Sequence, residues 1–265
     1  MELTLSEHLR RLRHVNTPIV VVEGKEDTAI YNWIAHSAGI TTANYHRCDG
    51  KGLLLQIFDE VQQNPSTYPN VKLFIRDRDM FVFYDSMPVA YNGMCFTTGY
   101  SIENDLYADA EPHFDNMLVY EDMQHKKRLL FDNIIKWYTF EVERFLTNVA
   151  NNTQTIEQGI NGMEDCKLLN DSNFSPQTLQ FTTEFFKRRG FVAASKTLED
   201  DLKQHYALKL RGHTLFDACN LLLKSAKRKI PTYKTEQLQH LFYSYAIEQN
   251  GYIARLKAAI VDSMA

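Results

Sequence analysis

The feature that most constrains this chain is a pair of short, uninterrupted apolar runs that each lead into acid. Ile19–Val22 runs into Glu23-Gly24, and Val71–Ile75 runs into Arg76-Asp77-Arg78-Asp79. An apolar run this short, with no alternation, predicts a strand covered on both faces, as in a parallel sheet. Between the two runs the periodicity changes. Residues from about Lys25 to Ala38 follow a helical pattern with Ile30, Trp33 and Ile34 on one side, and Gly39 is a stop signal. A short strand near Asn44–Arg47 leads into the turn Asp49-Gly50-Lys51-Gly52. A second amphipathic helix follows, with Leu54, Ile57, Phe58 and Val61 as its stripe, and Asn64-Pro65-Ser66 breaks it. The alternation β-α-β-α-β predicts an α/β fold with a mostly parallel sheet flanked by helices.

Strand signals fade after about residue 107. The stretches 112–149, 176–189 and 196–208 read as helices, separated by Asn/Gly-rich breaks, and 213–263 is helical apart from Pro231. The expected organisation is an α/β core over residues 1–107 and a mainly helical region over 108–265.

Charge becomes informative only when it is divided along the chain. The net charge of −4 conceals 15 Lys and Arg against 26 Asp and Glu in residues 1–184, and 12 against 4 in residues 185–234. An acidic part suits cations and the basic segment 185–234 suits a polyanion. Within that segment, Lys209, Arg211 and His213 flank a glycine between two helices, a place for a phosphate. Lys227, Arg228 and Lys229, with Tyr233 nearby, suit a nucleic-acid backbone and a stacked base.

Other chemistries find little support. Lys51 is preceded by glycine but followed by Gly52, so the phosphate-wrapping G-x-x-x-x-G-K-[ST] loop is absent. The histidines form no zinc-binding array, and Cys48, Cys95, Cys166 and Cys219 lie too far apart for a zinc knuckle. Those spacings predict reduced thiols. The amino-terminal MELTLSEHLRRLRH reads as an amphipathic helix, not a signal peptide, and no run reaches the length of a membrane span. A cytoplasmic protein with no membrane contact is expected.

The acids carry the functional expectation. Glu23 ends the first strand, Asp77 and Asp79 end a later one, and Glu103 follows in Tyr100-Ser101-Ile102-Glu103-Asn104 after another segment of strand character. In a parallel sheet such ends share one edge, where open α/β folds place their sites. A two-residue period aims Asp77 and Asp79 the same way, with Arg76 and Arg78 opposite. Glu26 and Asp27 lie one turn into the first helix. Carboxylates crowded together repel one another, and a hard cation such as Mg²⁺ or Mn²⁺ removes that cost. Such an ion orients a phosphodiester and activates water.

The ordered forms VVVEGKEDTAIY, FIRDRD and YSIENDL resemble the Toprim domains of overcoming-lysogenization-defect (OLD) type nucleases. The likeness covers about residues 17–107 and is nearest to the stand-alone subgroup found in PARIS anti-phage defence. It implies a Toprim-like fold and a Mg²⁺-dependent nuclease. Glu23 would be the catalytic or metal-binding glutamate, Asp77 and Asp79 the metal-binding pair, and Asp27 or Glu26 the helix acid for a second ion. Glu103 would take the later acidic position, and Lys51, in a turn lining the cleft, would touch phosphate. The resemblance further implies a toxic antiviral effector acting on RNA (host tRNA), held inactive by an ABC-type ATPase and homodimeric once released. A DNA nickase or DNA nuclease with the same acids is the enzymatic alternative, and a non-catalytic docking subunit is the other.

Overall fold

The computed structural model describes residues 3–24, 27–118, 120–160, 169, 174–188, 190, 195–225, 233–248 and 250–264. In chain order its elements begin with α1 (Leu5–His14), β1 (Ile19–Val22), α2 (Asp27–Ser37), β2 (Asn44–Arg47), α3 (Lys51–Gln63), β3 (Val71–Arg76) and β4 (Met94–Phe96). Helices follow: α4 (Ile102–Met117), α5 (Glu121–Ala150), α6 (Thr183–Arg188), α7 (Lys196–Lys209), α8 (Gly212–Ser225), α9 (Thr235–Ala246) and α10 (Tyr252–Met264). The chain divides into two compact units that do not run in sequence order. Met1–Arg78, Ser86–Thr97 and Ala246–Ala265 make the first, and Asp79–Asp85 with Thr98–Tyr245 make the second. The boundary expected at 107/108 instead falls inside α4, and the last helix belongs with the sheet.

The first unit is built on a four-stranded sheet of order β2-β1-β3-β4, parallel throughout. Every residue of β1 is buried, as its unbroken apolar run requires for a central strand. Ile19 and Val21 join Leu12 of α1 and Leu54, Ile57, Phe58 and Val61 of α3 in one core layer. Val20 and Val22 alternate to the other face, where α2 contributes Ile30 and Ile34 and α10 contributes Ile253, Leu256 and Ile260. Lys257 of α10 donates to the carbonyl of Ser37 at the end of α2 (3.1 Å). Thr4 and Glu7 close a reciprocal cap on α1, which fixes where that helix starts.

The second unit is helical around an aromatic core. Phe242 of α9 packs edge-on against Tyr107 and Phe114 of α4 and Phe216 of α8, with ring centroids 5.7, 5.6 and 5.2 Å away. Lys127 of α5 is 7% exposed and donates to Glu111 (2.7 Å) and Asp115 (2.6 Å) of α4. Burial favours loss of its proton, but Tyr206, Glu111 and Asp115 reverse that and raise the ammonium's pKa. Among the described residues, no helix is long and apolar enough to cross a membrane.

Candidate acidic site at the carboxyl edge of the sheet

Glu23 follows directly on β1, and the segment after β2 wraps the same end. The Cys48 amide donates to the Val22 carbonyl and the Gly50 amide to the Glu23 carbonyl, both at 3.0 Å. The turn between them needs positive φ at Asp49 (55°) and Gly50 (130°), which glycine adopts at no steric cost and aspartate tolerates better than most residues. Lys51 then opens α3. The partial positive charge of that helix start therefore lies at the strand end that bears Glu23. The Cys48 thiol beneath is pushed up to about 12 by burial and by the charges of Asp49 and Glu23.

Asp27 turns back on the same junction. Its Oδ2 accepts from the Gly24 amide at 3.0 Å, and a Cβ at position 24 would stand 2.8 Å from that oxygen. A side chain at position 24 would make the Asp27 carboxylate shift. Glu26 lies outside the described residues.

On the neighbouring strand, Val22 pairs with Ile75, so Glu23 and Arg76 stand side by side one residue further on. Residues in register on parallel neighbours point to the same side. Arg76 Nε lies 3.9 Å from Glu23 Oε2, its side chain is buried, and its guanidinium sits 5.2 Å over the Tyr91 ring. Arg76, expected on the side opposite Asp77 and Asp79, is thus the cation beside Glu23.

For Asp77 and Asp79 the two-residue period has no strand to run through. Strand β3 ends at Arg76, so no pleat continues through the two aspartates. Asp79 takes a left-handed backbone (φ 50°) and begins a 3₁₀ turn at Asp79–Phe83. It belongs to the second unit, where its amide donates to the Tyr100 carbonyl (2.8 Å), whereas Asp77 belongs to the first.

Glu103 also lies in the second unit, in the first turn of α4. It is 7% exposed and accepts from the Ser101 hydroxyl (2.6 Å) and the Gln239 amide (3.4 Å). Its neighbours organise backbone. Fully buried Asn104 donates to the carbonyls of Ala207 (2.7 Å) and Leu210 (2.8 Å), and Asp105 accepts from the amides of Thr98 and Gly99. A Cβ on Gly212 would come 2.1 Å from Ser101 Oγ, so the start of α8 packs directly on this cap.

The basic candidates separate in the same way. Lys209 is engaged by Asp201 at 2.6 and 2.9 Å and lies over the Phe83 ring. Burial alone would raise the Asp201 pKa, yet Lys209 and His205 hold it below the usual range. Arg211 is half-buried, and His213 is exposed in the first turn of α8. Lys227, Arg228 and Lys229 lie outside the described residues, as does Cys166.

Among the described residues, no three His, Cys, Asp or Glu side chains are gathered so as to hold a metal ion. Mg²⁺ asks for less, because one or two carboxylates with water and substrate phosphates suffice. Glu23 and Asp77, at the ends of adjacent strands, meet that smaller demand in number and chemistry. Sequence reasoning missed Arg76 as the neighbour of Glu23; its signal was its place directly after the apolar run Val71–Ile75, at the end of the strand that pairs with β1. No family model matches the chain, and no curated protein matches it.

Proposed function

We propose that this chain is a divalent-metal-dependent nuclease that hydrolyses RNA phosphodiesters at the carboxyl edge of its first unit's sheet. One observation carries the reading: Glu23 and Asp77 follow β1 and β3, the adjacent parallel strands at which the strand order reverses. Open α/β sheets receive their ligands at that point. Lys51 and the start of α3, held against the Glu23 carbonyl through Gly50, supply donors and positive charge for phosphate oxygens. The buried Arg76 guanidinium, with Nε 3.9 Å from Glu23 Oε2, places a positive charge beside that carboxylate.

Glu23 and Asp77 are the residues to hold Mg²⁺ or Mn²⁺, with Asp27 or Glu26 as the helix acid. The ion, when bound, polarises the phosphate and lowers the pKa of attacking water. Choice of RNA, host tRNA as target, restraint by an ABC-type ATPase and homodimerisation are proposed on the resemblance of the three motifs alone.

A second reading, a docking module without catalysis, is favoured by the Arg76–Glu23 contact, which supplies Glu23 with a protein cation. Purified protein with tRNA, plasmid and single-stranded DNA, in Mg²⁺, Mn²⁺ and EDTA, separates the two. Metal-dependent RNA cleavage that falls roughly a hundredfold or more in Asp77→Asn supports the nuclease. Cleavage retained by pure Asp77→Asn protein removes Asp77 from the mechanism, and no cleavage of any substrate favours docking.

A further inference from the structure

The carboxyl-terminal half of α1 carries Arg10, Arg11, Arg13 and His14 inside the otherwise acidic part of the chain. Basic residues in a last turn commonly just complement the helix dipole. Here they do more than that, because a solvent-open cleft of about 480 Å³ runs between this helix and the edge strand β2. Arg10, Arg11 and His14 form one wall, and Asn44, Tyr45 and His46 form the other. Among the described residues, no carboxylate lines it. Arg10 and Arg11 are exposed, and neither is in a salt bridge with a described residue. Arg13, by contrast, is used inside the unit, donating to the Tyr68 hydroxyl (3.2 Å) and lying over its ring.

We infer that this cleft binds the phosphate backbone of a nucleic-acid strand, an inference that rests on the nuclease reading for the identity of the polyanion. Guanidinium groups offer forked donors that match phosphate oxygens, and they keep their charge at any physiological pH. The volume suits a nucleotide unit and exceeds what a lone phosphate fills. A membrane surface is the poorer occupant. The apolar side of α1 is committed to the core, with Leu12 1% exposed and Leu5 and Leu9 packed against the same layer, so no greasy face is left to insert.

The position fits a strand that also reaches the acids. Ile19 lines the cleft at the start of β1, and Glu23 follows the end of that strand. Four residues at about 3.3 Å each separate them by about 13 Å, the span of roughly four stacked nucleotides. A strand passing over the surface covers at least that distance, so the cleft grips the backbone about four or more nucleotides from the bond proposed to be cut at Glu23 and Asp77.

The test is fluorescence anisotropy of a labelled RNA 12-mer with the full chain in EDTA, where binding is read without cleavage. Arg10→Gln/Arg11→Gln is expected to weaken binding about tenfold and to lower the salt slope by roughly 1.4, at about 0.7 per single-strand phosphate. Arg10→Glu/Arg11→Glu should weaken it further, while Arg13→Gln stays within about twofold of the parent. Circular dichroism and Tm confirm that each variant is folded. Unchanged affinity and slope in folded Arg10→Gln/Arg11→Gln overturns the inference. So does an equal loss in Arg13→Gln, which would mean that net charge alone is sensed. So, too, does a loss confined to phosphatidylserine vesicles with RNA binding intact. Because the readout needs neither metal nor turnover, these failures are distinct from failure of the cleavage assay, which tests the nuclease reading itself.

Discussion

Arg76 Nε lies 3.9 Å from Glu23 Oε2, one residue beyond the register pair Val22–Ile75 that joins the two central strands. A buried guanidinium next to a partly exposed carboxylate ties the chemistry of the sheet edge to its stability. Arg76→Met should cost about 3 kcal/mol in urea unfolding, since it leaves the largely buried Glu23 carboxylate without its cation. Adding Glu23→Gln should restore part of that, with a coupling of about 1 kcal/mol in the double-mutant cycle. A cycle with no coupling would separate the two residues energetically.

Lys51 begins α3, and the amide before it donates to the Glu23 carbonyl. If Lys51 meets a substrate phosphate there, Lys51→Met should lower kcat/KM about tenfold, the loss of roughly 1.4 kcal/mol of transition-state binding. Its Tm should move little, because position 51 is a helix start and not core. Cleavage kinetics indistinguishable from the parent would remove Lys51 from the site.

Asn104 sits within the motif that suggested an acidic position at Glu103, yet its side chain spans two carbonyls, of Ala207 and Leu210, from complete burial. Asn104→Leu should cost about 2–4 kcal/mol by leaving those acceptors without their donor. Asn104→Asp should be at least as costly, because a carboxylate cannot donate to either carbonyl. Equal stability of the parent and Asn104→Asp in chemical denaturation would refute the bridging role.

The contrast between Asn104 and Ile19–Val22 shows what was legible in the sequence and what was not. Strands β1 and β2 fall at the residues expected and β3 extends one residue further; β1 and β3 were legible because a buried parallel strand declares itself as an apolar run with no reference to distant residues. The turn at Asp49-Gly50 was equally visible, since its positive φ values call for those residue types. Helix α4 was not. Its start at Ile102 was read as the sequel to a strand, and Pro112 within it is an ordinary break signal. The division into units was hidden for another reason: the chain leaves the sheet unit at Asp79 and Thr98 and returns to it twice, and no composition shift marks those crossings. For the acids, strand ends were predictable but side-chain direction was not, because that depends on where pairing stops. The end of β3 at Arg76 decides the surroundings of Arg76 and the backbone of Asp79.

The last prediction concerns acid. His8 Nδ1 and His46 Nε2 are 2.8 Å apart, so one ring donates to the other and both cannot be protonated there. His8 on α1 is 1% exposed and packs edge-on against His46 on β2. Burial lowers both, taking His46 to about 4, with the charge of His8 and then Arg11 adding to it and Asp49 opposing. An unfolded histidine titrates near 6.5. Between that value and about 4 the unfolded chain binds protons that the folded chain refuses. Stability from this pair is therefore complete above about pH 7 and is lost as the pH falls through 6.5 toward 4. The loss should be on the order of 2 kcal/mol, read as a falling urea midpoint between pH 7 and pH 5. His46→Gln keeps a hydrogen-bonding partner for His8 but cannot be protonated, so it should flatten that decline while costing some stability at pH 7. A decline as steep in His46→Gln as in the parent would place the acid sensitivity elsewhere in the chain.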